Sequence, residues 1–138
     1  MARILIIEDN PANMTLATFL LESADHTVLS AIDAETGLTI ARAEQPDLVL
    51  MDIQLPGMDG LEATGILKAD KDTRGIPVIA LTALAMKGDE ERIRAAGCDG
   101  YIAKPLDYKQ FLAAIAAQLG TAPAAASPEQ RAERGRGK

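Results

Sequence analysis

The chain has 138 residues, of which 48% are hydrophobic, and a net charge of −6, values typical of one folded domain and incompatible with general disorder. Its apolar runs are far shorter than the roughly 20 residues of a membrane span, and its start lacks a secretory signal, so we predict a cytoplasmic protein with no membrane contact. The single Cys98 and the single His26 are too few for a zinc or iron–sulfur site.

Five short apolar runs alternate with helical patterns along the chain. We predict strands over residues 3–7, 27–31, 47–51, 77–81 and 100–103, and helices over 11–23, 34–44, 61–68, 86–96 and 108–119. Asn10 before Pro11, and Asp33 before the second helix, are typical N-caps. The strands are continuously apolar, which is typical of a parallel sheet covered by helices on both faces. The sequence therefore predicts a doubly wound (βα)5 fold of the α/β class.

The last 18 residues differ from the rest of the chain. Residues 121–138 have no core-forming pattern and carry four basic residues against two acidic ones. We predict one folded domain over residues 1–120 and a disordered C-terminal tail over 121–138. Because the net charge is −6, the body before the tail is strongly acidic, which disfavours direct binding to nucleic acid.

Polar residues follow the predicted strands at their carboxyl ends: Glu8 and Asp9, Asp52, Thr82 and Lys104. Open parallel sheets bind ligands at this edge, so we expect these side chains to converge. Three clustered carboxylates need a cation or raised pKa values, and their oxygen ligands favour Mg²⁺. A lysine and a hydroxyl beside them are typical of a phosphoryl-binding site, in which a carboxylate acts as the nucleophile. Asp52, which directly follows a central strand, is the best candidate for that role.

Each of these residues also has an ordinary structural interpretation. Asp9 could help to cap the first helix, Thr82 could cap the helix after its strand, and Lys104 could be a solvated turn lysine. Asp52 could form a turn, as Asp59 could before its glycine. The structural interpretation then requires five coincidences at one edge of the sheet, so the functional interpretation is favoured.

Four motifs together identify a family resemblance. IIEDN, LMDIQLPGMDG, ALTA and GYIAKP occur in this order at successive strand ends. With them, the sequence resembles the receiver domain of bacterial two-component response regulators, the CheY-like fold, over roughly residues 2–119. The stretch ALAMKGDEERIRAAGCDGYIAKP is most similar to single-domain regulators of the DivK type. The resemblance implies the flavodoxin-like strand order 2-1-3-4-5.

The resemblance also implies an acceptor and a set of metal ligands. Asp52 would be phosphorylated. Asp9, Asp52 and the backbone carbonyl of Gln54 would bind Mg²⁺, and Glu8 would act largely through metal-bound water. Glu8 stands where the family more often has Asp.

Further residues are implied as a switch. Lys104 would pair with the phosphoryl group, Thr82 would move to hydrogen-bond it, and Tyr101 would rotate inward. A cis peptide is implied between Lys104 and Pro105. The face made by the fourth helix, fifth strand and fifth helix would then bind a downstream protein.

We therefore expect a single-domain regulator, monomeric or weakly dimeric, that receives phosphate from a histidine kinase or histidine phosphotransferase and turns over no separate substrate. The alternative is a receiver excised from a larger hybrid kinase or regulator. A haloacid-dehalogenase phosphatase would need a second Asp where this chain has Gln54, and flavodoxin would need a glycine- and hydroxyl-rich loop where it has Glu8 and Asp9. A degenerate receiver acting as a scaffold is disfavoured by the complete site.

Overall fold

The computed structural model describes residues 2–83 and 87–120. Within them, the strands are β1 (Arg3–Ile7), β2 (Thr27–Ala31), β3 (Leu48–Asp52), β4 (Val78–Thr82) and β5 (Gly100–Ala103). The helices are α1 (Pro11–Ser23), α2 (Ala34–Glu44), α3 (Gly60–Ala69), α4 (Lys87–Ala95) and α5 (Tyr108–Leu119). All strand pairs are parallel, in the order β2-β1-β3-β4-β5. The predicted fold class and strand order are confirmed.

The sheet separates two apolar layers, because alternate side chains of each strand point to opposite faces. Leu5 and Ile7 of β1 pack on one face with residues of α2, α3 and α4, whereas Ile4 and Ile6 pack on the other with residues of α1 and α5. All four are fully buried. Burial of one such side chain stabilises the fold by about 2 kcal/mol. Continuous apolar strands are therefore explained by a sheet that is covered on both faces.

The predicted helix caps are confirmed. The side chain of Asn10 accepts a hydrogen bond from the backbone N–H of Asn13 at 3.1 Å, and that of Asp33 accepts one from Thr36 at 2.7 Å. Asp59 caps α3 in the same way, accepting from the N–H of the third helical residue at 2.8 Å. These caps fix where each helix starts at the carboxyl edge of the sheet.

Two strands begin and end one residue later than predicted: β3 at 48–52 rather than 47–51, and β4 at 78–82 rather than 77–81. The Asp47 carboxylate accepts a hydrogen bond from the N–H of Arg3 at 2.8 Å, and Pro77 has no N–H for a strand ladder. At the other end, pairing continues to Asp52 and Thr82. The two candidate residues thus belong to the strands themselves, where the sheet holds their backbones.

The ends of two helices also differ slightly from the prediction. α3 covers 60–69 rather than 61–68, and α4 ends at Ala95 rather than at residue 96. Met86, predicted in α4, lies outside the described residues, as does the predicted tail over 121–138. None of the helices within the described part of the chain has the length and apolarity needed to cross a membrane.

Helix α1 buries fewer of its apolar side chains than its sequence suggests. Leu16 and Phe19, two of its apolar residues, are 40% and 67% exposed. Ala17, Leu20 and Leu21 are the residues that the helix buries against the sheet. The pattern predicted the helix correctly but not which apolar side chains face inward.

Candidate functional site

Three acids meet at the carboxyl edge of the sheet, as predicted. Ligand oxygens of Glu8, Asp9 and Asp52 all lie within 4.8 Å of one another. Glu8 and Asp52 are buried, with 1% and 3% of their surfaces exposed, whereas Asp9 is exposed. Two buried carboxylates therefore stand beside a third that is open to solvent.

The carboxylate of Asp52 is held on both of its oxygens. Oδ1 accepts a hydrogen bond from the backbone N–H of Gln54 at 3.1 Å, and Oδ2 lies 3.2 Å from Nζ of Lys104. The backbone beyond it remains tied to the sheet, because Ile53 donates its N–H to the carbonyl of Leu81 at 3.1 Å. The orientation of this side chain is thus fixed by both a loop and a neighbouring strand.

Lys104 reaches the same cluster from β5. Its Nζ lies 3.2 Å and 3.4 Å from the two carboxylate oxygens of Glu8, and only 17% of its side chain is exposed. Its backbone N–H donates to the carbonyl of Thr82 at 2.7 Å, which joins the ends of β4 and β5. The peptide bond from Lys104 to Pro105 is cis, as the resemblance implied. Thr82 itself is buried beside this junction, with 1% exposure.

The cluster contains more acidic than basic side chains. The pKa of the Glu8 carboxyl is raised from 4.5 to about 7, first by burial and then by the hydrogen bond and negative charge of Asp52; Asn13 and Lys104 oppose the shift. One lysine does not neutralise three acids, so the folded chain retains a proton that the carboxylate would ordinarily release. Carboxylate and carbonyl oxygens are ligands suited to a hard divalent cation, and the residues therefore fit Mg²⁺.

The two remaining predicted residues are Gln54 and Tyr101. Gln54 is exposed at the start of the loop after β3, where its N–H already contacts Asp52. Tyr101 is 36% exposed on β5, paired in register with Ala80. The exposed ring is compatible with the outward position of the predicted switch, and its inward rotation stays a prediction.

Two residues near the site were not predicted. The side chain of Asn13, in the first turn of α1, lies near enough to the Glu8 carboxyl to lower its pKa. Gly60, the first residue of α3, approaches the backbone of Asp52 so closely that a Cβ there would lie 2.2 Å from its carbonyl oxygen. The sequence feature that could have indicated Asn13 is its position in the first turn of the helix, three residues after the Asn10 cap. Gly60 had no local signal beyond that of an ordinary turn glycine.

This fold and site are those of a phosphoryl-receiving domain, and sequence comparison identifies the family. Residues 4–116 match the response regulator receiver domain. The chain therefore belongs to the receiver-domain family of two-component response regulators. Its function is in phosphorelay signalling, in which receivers interact with histidine kinases or phosphotransferases and with downstream proteins.

Individual relatives agree with this assignment. The polar-differentiation response regulator DivK of Brucella ovis is 49% identical over 119 residues, which are 86% of this chain and 97% of that protein. The receiver domain of a sensor histidine kinase from Pseudomonas aeruginosa PAO1, crystallised with magnesium in its active site cleft, is 35% identical with a TM-score of 0.81, covering 87% of this chain and 98% of that one. The Vibrio cholerae chemotaxis protein CheY4, at 23% identity and a TM-score of 0.79 over 83% of this chain and 96% of its own, shares the fold.

Proposed function

We propose that Asp52 is the residue that accepts the phosphoryl group, and that its donor is a phosphohistidine of a histidine kinase or histidine phosphotransferase. The observation that carries this proposal is the fixed carboxylate of Asp52, with Gln54 on one oxygen and Lys104 on the other. A nucleophile held in one orientation avoids much of the entropic cost of reaching the reactive geometry. Gln54, two residues after Asp52, and Ala83, directly after Thr82, are both exposed.

In the proposed transfer, a carboxylate oxygen of Asp52 attacks phosphorus and the phosphorus–nitrogen bond of the donor breaks, leaving its electron pair on the imidazole nitrogen. Lys104 is placed to neutralise charge on the transferred oxygens. Glu8, Asp9, Asp52 and the backbone carbonyl of Gln54 are the residues that would hold Mg²⁺. When bound, the ion would supply positive charge to the acceptor and to the transferring group. The chain acts on itself and turns over no separate substrate.

The proposed signal starts from Thr82 and Lys104, which are joined through their backbones at 2.7 Å. Phosphorylation adds roughly −1.5 to −2 charges, which would draw Lys104 from Glu8 and the Thr82 hydroxyl toward the new oxygens. Tyr101 would then turn inward. Shifting the population from 1:99 to 99:1 requires about 5.5 kcal/mol, which a few charge-assisted hydrogen bonds can provide.

We propose the face of α4, β5 and α5 as the surface that binds the downstream protein. It carries the exposed rings of Tyr101 and Tyr108, at 36% and 54% exposure. Helix α4 also contributes charged groups, since Arg94 lies 3.5 Å from Glu90 on it. A change in the position of Tyr101 would alter it directly. We expect the exchange to take place in the cytoplasm, with the chain as a monomer or weak dimer.

We propose that the chain acts as a stand-alone regulator, because its match covers 97% of the Brucella relative. The alternative, a receiver excised from a larger protein, has one observation in its favour: the Pseudomonas structure is the receiver domain of a sensor kinase. The two alternatives differ in whether phosphorylation enables this chain, on its own, to bind a downstream protein. Capture of a partner by the isolated phosphorylated chain and not by its Asp52→Asn variant supports the first.

The acceptor assignment has a direct test. Incubation with acetyl phosphate and Mg²⁺ should add one phosphoryl group to the intact mass, and Asp52→Asn should abolish the gain. Asp9→Asn is the matched variant that keeps the acceptor and weakens the proposed metal site, so it should slow the gain without abolishing it. No gain in the unaltered chain, or a gain that persists in Asp52→Asn, would contradict the proposal.

A further inference from the structure

Helix α3 begins unusually close to the backbone of the candidate acceptor. A Cβ at Gly60 would lie 2.2 Å from the carbonyl oxygen of Asp52 and 2.9 Å from Cα of Ile53. Both neighbours are backbone atoms of the sheet edge, so they cannot rotate away as a flexible side chain can. Ordinary van der Waals contact starts at 3.4 Å, and a side chain at this position would therefore displace α3 or the strand end by more than 1 Å.

Hydrogen bonds fix this close approach from both sides. The backbone N–H of Gly60 donates to the carbonyl of Ile53 at 3.0 Å, which closes the loop that follows β3. The buried Thr64 hydroxyl donates to the carbonyl of Gly60 at 2.8 Å, one turn further along the helix. The loop between them carries Gln54, whose N–H contacts Asp52 at 3.1 Å. Both ends of this loop are thus hydrogen-bonded to Asp52 and Ile53, at the carboxyl end of β3.

We propose that Gly60 is a positioning residue for phosphorylation: its missing side chain lets α3 start against the Asp52 carbonyl and thereby sets the loop that orients the Asp52 carboxylate. The inference rests on the proposed role of Asp52 as acceptor. Gly60 touches no reacting atom and acts through the backbone of Asp52 and through Gln54. A displacement of about 1 Å in a reacting group can reduce a rate about 100-fold, which is the scale of effect expected here.

The same helix contains a matched control. A Cβ at Gly65 would meet nothing within 4 Å, and this residue is exposed. Gly65→Ala therefore makes the same chemical change in α3 without touching the acceptor. Alanine is also preferred to glycine in a helix interior, so this variant should be at least as stable as the unaltered chain.

The experiment compares the initial rate of phosphorylation by acetyl phosphate, at a temperature where circular dichroism shows each variant folded. Gly60→Ala should be phosphorylated about 100-fold more slowly, and Gly65→Ala within about twofold of the unaltered chain. A second readout, in metal-free protein, is the nuclear magnetic resonance shift and hydrogen exchange of the Gln54 amide. Both should change in Gly60→Ala and stay the same in Gly65→Ala. A folded Gly60→Ala with an unaltered rate and an unaltered Gln54 amide would overturn the inference.

Thr64 provides a second test if Gly60→Ala does not fold. Thr64→Val removes the hydroxyl that donates to Gly60 and preserves the shape of the side chain, whereas Thr64→Ser preserves the hydroxyl. We expect slower phosphorylation and a changed Gln54 amide in Thr64→Val, with recovery in Thr64→Ser; equal rates in the two would overturn the inference. An unaltered chain that gains no phosphoryl would instead refute the proposed function, and the metal-free Gln54 readout would still show whether Gly60 sets the loop.

Discussion

The two edges of the sheet handle charge in different ways. At the amino edge, Nη2 of Arg3 lies 2.7 Å from Oε1 of Glu44, and Nζ of Lys68 lies 2.9 Å from Oδ2 of Asp99. Each of these two bases is paired with one acid. At the carboxyl edge, Lys104 is the base that lies within 4 Å of two acids of a three-acid cluster.

Burial sharpens the difference. The Arg3 and Glu44 side chains are 44% and 50% exposed, whereas those of Glu8 and Asp52 are 1% and 4% exposed. Water screens the pair at the amino edge and leaves its contribution small, but it screens the carboxyl edge much less. The surplus of negative charge therefore lowers the stability of the metal-free chain, and the same surplus would attract the Mg²⁺ ion proposed for this edge. Function and stability oppose each other at only one of these two edges.

Removing the lysine of the carboxyl edge should have the largest effect. Lys104→Met leaves Glu8 and Asp52 without their cation, so the free energy of unfolding of the metal-free chain should fall by about 4 kcal/mol at pH 8. The loss should be smaller at pH 6, where Glu8 holds a proton. Because the ammonium no longer competes for the carboxylates, Mg²⁺ should bind more tightly.

Urea unfolding in the presence of a chelator measures the first effect, and isothermal titration with Mg²⁺ measures the second. The matched variant is Lys109→Met, which changes an exposed lysine in the first turn of α5. A Lys104→Met protein as stable as Lys109→Met at both pH values, with unchanged Mg²⁺ affinity, would show that the lysine is not the counter-charge of this cluster.

The second prediction concerns Glu8, whose raised pKa should make the stability of the chain depend on pH. In the unfolded chain Glu8 loses its proton near pH 4.5, but in the fold it does so near pH 7. As pH rises between these values, the unfolded chain releases the proton freely while the folded chain retains it, so stability falls; above pH 7 the penalty is constant. One unit of pKa corresponds to about 1.4 kcal/mol, which gives a loss of about 3 kcal/mol for the metal-free chain.

Glu8→Gln should remove this loss, since an amide does not titrate. The comparison is made by urea unfolding in chelator at pH values from 5 to 8, with Glu44→Gln at the amino edge as the control that should keep the loss. If the free energy of unfolding depends on pH in the same way in the unaltered chain and in Glu8→Gln, ionisation of the buried Glu8 carboxyl is not what destabilises this edge.

The sequence predicted what depends on local pattern and on strand order. Continuous apolar strands, Asn10 and Asp33 as caps, and polar residues at strand ends are each encoded within a few positions. Once the strands are parallel, their carboxyl ends must share one edge, so the meeting of Glu8, Asp52 and Lys104 followed from the topology. The geometry of that meeting confirms the prediction in the described residues.

Other features depend on contacts between distant segments and could not be read locally. The start of β3 differs from the prediction where the Asp47 carboxylate accepts a hydrogen bond from the N–H of Arg3, 44 residues away. Phe19 is exposed because α1 packs on the sheet with only some of its apolar residues. The role of Gly60 depends on how close α3 comes to Asp52, a distance that no spacing in the motif QLPGMDG specifies.

The amino edge should give the smallest effect, and thereby tests whether the comparison is sound. Arg3→Met breaks the ion pair with Glu44 at 2.7 Å and a hydrogen bond to the Glu44 carbonyl at 2.6 Å. Because both side chains are about half exposed, the free energy of unfolding should fall by no more than about 1 kcal/mol. Mg²⁺ affinity and the rate of phosphorylation by acetyl phosphate should not change, since among the described residues the carboxylate of Asp52 contacts Gln54 and Lys104 and not the Arg3–Glu44 pair. A loss of several kcal/mol, or a change in Mg²⁺ affinity beyond twofold, would mean that charge at the two edges is coupled through the sheet and that the division drawn between them is wrong.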